Sequence, residues 1–208
     1  EYPNPETDAA LNESYKVAAT TQCDVILGTD PDCDRVAIAV PEGSGFRKLS
    51  GNELGCLLMD YILRARKELH NLPKEGIVVR SIVSSPLADR IAENYGVTMK
   101  TVLTGFKYIG GEILDLERRG QENRFIFGFE ESYGYLSGSY VRDKDAVVAS
   151  MLICEMVAYY KKQNLTLVDV INQLYEEHGY YHNEQSSYYC EGISGMELMA
   201  NIMDNFRS

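Results

Sequence analysis

Three aspartates, Asp30, Asp32 and Asp34, stand on alternate residues in the segment GTDPDCDRVAIAV, residues 28–40. On extended backbone alternate side chains point to one side, so the three carboxylates would lie together and repel one another unless a cation lies among them. Carboxylate oxygens suit Mg²⁺ and Mn²⁺, whereas Zn²⁺ prefers His and Cys. The spacing therefore favours a hard divalent cation, and a solvated acidic turn whose aspartates cap backbone amides is the alternative.

Two other aspartate-rich loops can be compared with this one directly. An EF-hand loop that began at Asp30 would need Gly at its sixth position and Glu at its twelfth, where Arg35 and Pro41 stand, so calcium sensing of that kind is excluded. A haloacid-dehalogenase-type D-x-D is followed by Thr or Val, and Asp34 makes that family a weaker fit. Arg35 is suited either to clamp a phosphate beside the metal or to form an ion pair with one of the aspartates.

A second polar segment, GFEESYGYLSGSYVRDKDA over residues 128–146, also follows an apolar strand and leads into a helix. In open α/β sheets ligands bind at the carboxyl ends of strands, so substrate contacts are expected in this segment. Glu130 and Ser132 are two residues apart and offer an acceptor and a donor for adjacent sugar hydroxyls. Taken alone, the segment is equally typical of a polar loop with turn-forming residues.

The elements that must position these residues alternate along the chain. Continuous apolar runs predict strands buried on both faces, and capped periodic segments predict helices. This alternation indicates the α/β class, with a mixed, mostly parallel sheet flanked by helices. The predicted strands are 24–28, 35–40, 76–83, 97–104 and 124–129, the predicted helices are 7–20, 50–69, 85–96, 107–120, 143–161 and 166–178, and a loop at 130–140, a strand-like segment at 180–192 and a final helix complete the pattern.

Composition limits the functions that the chain can have. A net charge of −11 argues against nucleic-acid binding, which needs clustered Lys and Arg. Five cysteines without C-x-x-C spacing indicate neither a disulfide framework nor a zinc site and favour a reducing, cytoplasmic location. No apolar run approaches the ~20 residues of a membrane span, so no membrane association is expected. The opening EYPNPE resembles a chain cut from something longer.

The segments TDPDCDR, LTGFKYIG and GFEESYGY…VRDKDA together resemble the α-D-phosphohexomutase superfamily, and its phosphoglucomutase branch most of all. The resemblance extends to PNPE near the N-terminus and to SGNELGCLLMDYIL, so it covers nearly the whole chain. It implies that Asp30, Asp32 and Asp34 hold Mg²⁺ together with a phosphoserine oxygen. It also implies that Arg35 contacts that phosphoserine or the transferred phosphate, and that Lys144 is a phosphate contact and proton-transfer group.

The same resemblance implies the substrate site. Glu130 and Ser132 would bind sugar hydroxyls, while Gly105 and Lys107 of TGFK would line the same cleft. The substrates would be glucose 1-phosphate and glucose 6-phosphate, with glucose 1,6-bisphosphate as the intermediate. The His of the phosphomannomutase branch loop G-E-x-S-G-H has no counterpart here, which favours glucose but leaves phosphomannomutase and phosphopentomutase open. A non-catalytic module that binds sugar phosphates is a further alternative.

Two family motifs are missing from these 208 residues: the serine loop resembling T-A-S-H-N-P and the phosphate loop resembling R-x-S-G-T-E-P. Ser84 and Ser85 lack the serine motif and are interpreted as a helix cap. The resemblance therefore divides the chain into the end of domain 2 at 1–40, domain 3 at 41–180 and the start of domain 4 at 181–208. We expect no mutase activity from this chain by itself.

Overall fold

The computed structural model describes residues 3–184, 186, 188 and 190–207. Its first sheet is an antiparallel meander of β1 (Ile26–Thr29), β2 (Val36–Glu42) and β3 (Gly45–Lys48). A 3₁₀ turn (Asp8–Leu11) and α1 (Asn12–Ala18) replace the single helix predicted there. β2 is buried from Val36 to Val40 as predicted, but the same prediction is wrong for β1, in which only Ile26 is buried, because β1 is an edge strand.

The second sheet contains β4 (Ile77–Ser81), β5 (Thr98–Val102), β6 (Phe125–Glu130) and β7 (Gly134–Ser137) in the order β5-β4-β6-β7. β4 is parallel to both of its neighbours and β7 is antiparallel to β6, which confirms the mixed, mostly parallel sheet. The prediction of a continuous loop over 130–140 is wrong, because β6 turns into β7 through residues 131–133 alone. Tyr133 at φ +67° closes this short hairpin in the left-handed conformation.

Six further helices follow the predicted order, and local capping explains several of their ends. Ser50 and Glu53 form a reciprocal capping box at the first of them, as do Thr166 and Asp169 at the fifth. Gly96 ends the second in the left-handed conformation at φ +67°. The helices are α2 (Gly51–Glu68), α3 (Leu87–Tyr95), α4 (Phe106–Arg118), α5 (Ala146–Lys161), α6 (Leu167–His178) and α7 (Gly192–Arg207).

The hydrophobic core lies on both faces of the second sheet. Val78 and Phe127 belong to one cluster, which includes β2 and helices α2, α5 and α6. Ile77 and Val79 belong to the other, which is covered by α4. This alternation places helices on both faces of the sheet and leaves the carboxyl ends of β4 and β6 free to carry polar residues.

The C-terminal segment departs in part from expectation. Gln185, Ser187 and Tyr189 of the predicted strand-like segment lie outside the described residues, and the described residues between 180 and 192 form no strand. The final helix is present as α7. Within the described part of the chain, no helix is both long and apolar enough to cross a membrane.

Candidate active site

The three aspartates converge in the short loop between β1 and β2. Each of Asp30, Asp32 and Asp34 offers a carboxylate oxygen, and these oxygens lie within 4.8 Å of one another. The loop is a tight turn rather than extended backbone, with Cys33 at φ +58° and its amide donating to the Asp30 carbonyl over 3.0 Å. The turn, and not the alternation of side chains along a strand, therefore brings the three carboxylates together.

Arg35 holds Asp30 in place. Its Nε donates to Asp30 Oδ2 over 2.7 Å, and its backbone amide donates to Oδ1 over 3.0 Å. Burial alone would raise the pKa of Asp30, but these hydrogen bonds outweigh burial and the pKa lies below its ordinary value. Arg35 Nη1 also donates to Glu6 Oε1 over 2.7 Å. Of the two interpretations of Arg35, the ion pair with an aspartate is thus present.

Lys144 places a second cation among the carboxylates. Its Nζ lies 2.8 Å from Asp34 Oδ2 and 3.2 Å from Asp143 Oδ1. Burial opposes the charge on Lys144, but the hydrogen bonds to Asp34 and Asp143 leave its pKa above the ordinary value. Burial and the neighbouring Asp30 raise the pKa of Asp34 in spite of the contact with Lys144.

Backbone hydrogen bonds join this aspartate loop to the second sheet. The Val36 amide donates to the Tyr133 carbonyl over 3.1 Å, and Arg35 forms a bridge with Gly134. The Ala146 amide, at the start of α5, donates to the Cys33 carbonyl over 3.2 Å. The aspartate loop, the β6–β7 hairpin and Lys144 are therefore held in one rigid arrangement.

The predicted sugar-binding residues occupy different environments. Glu130, at the end of β6, is buried, and its Oε1 accepts a hydrogen bond from the Gly105 amide over 2.6 Å. Burial raises the pKa of Glu130, and nearby Glu131 adds to the shift. Ser132 is half-buried in the hairpin turn, whereas Lys107 is exposed with its ammonium 5.0 Å from the Tyr108 ring centre. The structure thus brings Glu130 and Gly105 together, while Lys107 stands apart.

A cavity of about 770 Å³ opens beside these residues. Its described lining includes Glu6, Ser50, Asn52, Thr104, Glu131 and Tyr133, and none of the residues predicted from sequence. Glu131 was missed although it lies within the GFEESYG motif, because the two-residue spacing singled out its neighbours. Glu6, which accepts from Arg35, is far from that loop in sequence, and no local signal marks it.

The donor atoms of the aspartate loop are all oxygens, which fits Mg²⁺ and does not fit Zn²⁺. Arg35 already pairs with Asp30 and Lys144 with Asp34, while Asp32 is exposed and has no ion pair with any described residue. Three carboxylates against two cations leave a net negative charge at this loop. The residues present can therefore accept a divalent cation, in competition with Lys144.

Comparison with known proteins gives a consistent result. The family model for phosphoglucomutase/phosphomannomutase alpha/beta/alpha domain III matches residues 50–178, and the model for domain II matches residues 1–43. A phosphoglucomutase of Staphylococcus epidermidis is 38% identical over 206 residues, which are 99% of this chain and 36% of that protein. A phosphoglucomutase of Staphylococcus aureus is 37% identical over the same shares. The chain thus spans about a third of the length of these relatives.

Solved structures agree with the sequence comparison. A candidate phosphomannomutase of Thermus thermophilus superposes with a TM-score of 0.66 at 26% identity, over 85% of this chain and 36% of that one. The open form of parafusin, a phosphoglucomutase of Paramecium, shares the fold with a TM-score of 0.59 at 19% identity, over 85% and 30% of the two chains. The resemblance first suggested by the aspartate loop and the GFEESYG segment is confirmed, and the chain belongs to the phosphoglucomutase/phosphomannomutase family.

Proposed function

We propose that this chain is the part of a phosphoglucomutase that carries two functional segments. These are the aspartate loop, which would bind the metal, and the segment 128–146, which would bind the sugar. The enzyme would interconvert glucose 1-phosphate and glucose 6-phosphate through a phosphoserine and a glucose 1,6-bisphosphate intermediate. The observation that carries the proposal is the 2.8 Å ion pair between Lys144 and Asp34, which unites the two loops in one charged cluster. Phosphoryl transfer depends mainly on positioning and charge neutralisation, and such a cluster supplies both.

Each residue of the cluster has a defined task in this proposal. Asp30, Asp32 and Asp34 would hold Mg²⁺, which when bound neutralises charge on the transferred phosphoryl group. Arg35 is oriented by Asp30 through Nε and by Glu6 through Nη1, which leaves Nη2 without a partner among the described residues and free to contact a phosphate.

Lys144 would bind the phosphate and supply a proton. Its raised pKa keeps the ammonium charged at neutral pH. The ammonium would donate a hydrogen bond to a phosphate oxygen and a proton to a leaving oxygen. Glu130 and Ser132 would bind sugar hydroxyls, and Gly105 and Lys107 would contribute to the same sugar and phosphate cleft. The Gly105 amide already holds one oxygen of Glu130 and so orients its carboxylate.

The serine that carries the phosphate would come from a part of the protein outside these residues. We therefore propose that this chain alone has no mutase activity, with residues 1–40 corresponding to the end of domain 2, 41–180 to domain 3 and 181–208 to the start of domain 4. A coupled assay that measures the conversion of glucose 1-phosphate to glucose 6-phosphate tests this, and ordinary turnover by the isolated chain would refute it.

Five free cysteines support a cytoplasmic location.

Two alternatives remain to be tested in the full-length protein. A phosphomannomutase or a phosphopentomutase would use the same cluster, and kcat/KM on glucose, mannose and ribose 1-phosphates distinguishes them. A non-catalytic sugar-phosphate-binding module would retain binding without turnover. Glu130→Gln should lower turnover sharply in an active mutase, because one of the two buried carboxylate oxygens that can accept from a sugar hydroxyl becomes an amide donor. Unchanged turnover would contradict the role of Glu130.

A further inference from the structure

Two buried serines meet the β6–β7 hairpin at the carboxyl end of β4. The Ser81 hydroxyl donates to Glu131 Oε2 over 2.7 Å, and Ser81 Oγ lies 2.8 Å from Ser84 Oγ. Ser81 has a single hydroxyl hydrogen, which it gives to Glu131, so the Ser84 hydroxyl donates to Ser81 or, over 3.4 Å, to Glu131 Oε2 directly. The two serine hydroxyls and the Glu131 carboxylate therefore form one hydrogen-bonded cluster.

The turn that carries the two serines is itself held rigidly. Arg80 is buried, and its Nη1 donates to the carbonyls of Ser81 and Ser84 over 3.1 and 3.0 Å. Its Nε and Nη2 bind the Asp89 carboxylate. Burying hydroxyls costs free energy unless they are paired, and this turn pairs them with a carboxylate at the cavity. Residues that served packing alone would not need hydroxyls here.

The backbone of Glu131 is restrained by α2. A Cβ at Gly51, the first residue of α2, would lie 1.9 Å from the Glu131 carbonyl oxygen, so only glycine permits this approach. Among the described residues, the hydrogen bonds to the Glu131 carboxylate all go to Oε2. Since Glu131 lines the cavity, its Oε1 remains available to a ligand there.

From these contacts we propose that Glu131 accepts a hydroxyl of the hexose phosphate and that Ser81 and Ser84 are positioning residues for its carboxylate. The inference rests on the proposed function and assigns a ligand contact in the cavity, which neither Glu130 nor Ser132 lines. Other polar lining groups, such as Asn52 and Thr104, make the cavity suited to a polyhydroxylated ligand.

The test uses the full-length natural protein and measures Kd by calorimetry for glucose 6-phosphate and its 2-, 3- and 4-deoxy analogues. Glu131→Gln retains the shape of the side chain but presents an amide donor towards the ligand. It should weaken glucose 6-phosphate binding about tenfold, as expected for a lost hydrogen bond to a charged group. It should cause no further loss for the one analogue that lacks the contacted hydroxyl.

Ser81→Ala should reproduce this pattern with a smaller loss, and Ser84→Ala with a still smaller one, because the Ser84 hydroxyl is 3.4 Å from Glu131 Oε2 whereas that of Ser81 is 2.7 Å away. Ser137→Ala is the matched control. Ser137 is the last residue of β7, its hydroxyl donates to the Ile126 carbonyl of β6, and it lies outside the cavity lining. Its Kd should be unchanged for all four ligands.

Three results would overturn the inference. Equal losses for all four ligands would show that Glu131 is merely structural, and so would unchanged affinity in Glu131→Gln. A wild-type protein that binds none of the four ligands would refute the proposed function itself, and the inference with it. In the first two cases the proposed function would still stand, so the two failures are distinguishable.

Discussion

The Lys144 ammonium lies 2.8 Å from Oδ2 of Asp34 and joins a loop of the antiparallel sheet to the segment that follows the mixed sheet. An internal cation thus occupies part of a carboxylate cluster that is suited to a divalent metal. Because two cations cannot share the same oxygen without repulsion, binding of metal and the position of Lys144 must be linked.

Removal of the lysine charge should therefore strengthen metal binding. Lys144→Met keeps much of the length of the side chain and removes the ammonium, so we expect Mn²⁺ or Mg²⁺ affinity to rise by roughly threefold to tenfold in the absence of substrate. Titration calorimetry, or Mn²⁺ electron paramagnetic resonance, measures this. Lys107→Met, at an exposed lysine away from the aspartates, is the control, and weaker binding in Lys144→Met would contradict the competition.

Glu130 should make stability depend on pH. Its folded-state pKa is raised, first by burial, so its stabilising contribution is complete below the unfolded pKa of about 4.3 and is lost as pH rises through the folded value. Glu130→Gln stays neutral and can still accept from the Gly105 amide. We expect its Tm to exceed that of the wild type at pH 7, with the difference shrinking towards pH 4.

Calorimetric scans across this range provide the measurement. Glu122→Gln, at an exposed glutamate, should show no such trend. If the wild type were instead more stable than Glu130→Gln at pH 7, the folded protein would stabilise the ionised carboxylate of Glu130, and the prediction would be wrong.

Asp145 should show the opposite dependence on pH. It caps α5 by accepting from the amides of Val147 and Val148, and it also accepts from the Tyr140 hydroxyl. Burial acts to raise the pKa of Asp145, but these hydrogen bonds lower it by more, so the pKa lies below its ordinary value. Its contribution is present above the unfolded pKa of about 3.9 and is lost as pH falls through the folded value.

Asp145→Ala should therefore lower the free energy of unfolding by about 1 kcal/mol at pH 7 and by less at pH 3. Urea denaturation at the two pH values tests this. Asp115→Ala, at an exposed helical aspartate, is the comparison. An equal loss at both pH values would show that the charge of Asp145 is not involved.

Two glycines should respond differently to the same substitution. A Cβ at Gly134 would lie 2.5 Å from Lys144 Cδ, which belongs to a flexible side chain, so Gly134→Ala should displace Lys144 and alter metal affinity with little loss of stability. At Gly51 the Cβ meets the Glu131 backbone instead, and Gly51→Ala should lower the free energy of unfolding by about 2 kcal/mol or more. Urea denaturation and metal titration of both variants separate the two effects, and similar stability losses would contradict this distinction.

Much of the fold was predictable because its determinants are local. The capping boxes at Ser50 and Thr166 act within three residues, and apolar periodicity marks β2 and most helices whatever their partners. The weaker elements were not predictable. β3 and β7 are four residues long, and each depends on pairing with a neighbouring strand rather than on its own composition.

By itself, the sequence determined the α/β class, the family and the acidic loop, because those properties reside in residue types at short spacing. Only the tertiary structure decided which distant groups meet: Lys144 with Asp34, Arg35 with Glu6, and Ser81 with Glu131. These contacts depend on how the antiparallel meander docks against the β6–β7 hairpin, through backbone hydrogen bonds such as Val36 to Tyr133. No local pattern encodes that docking, since it results from the burial of both sheets around α2 and α5.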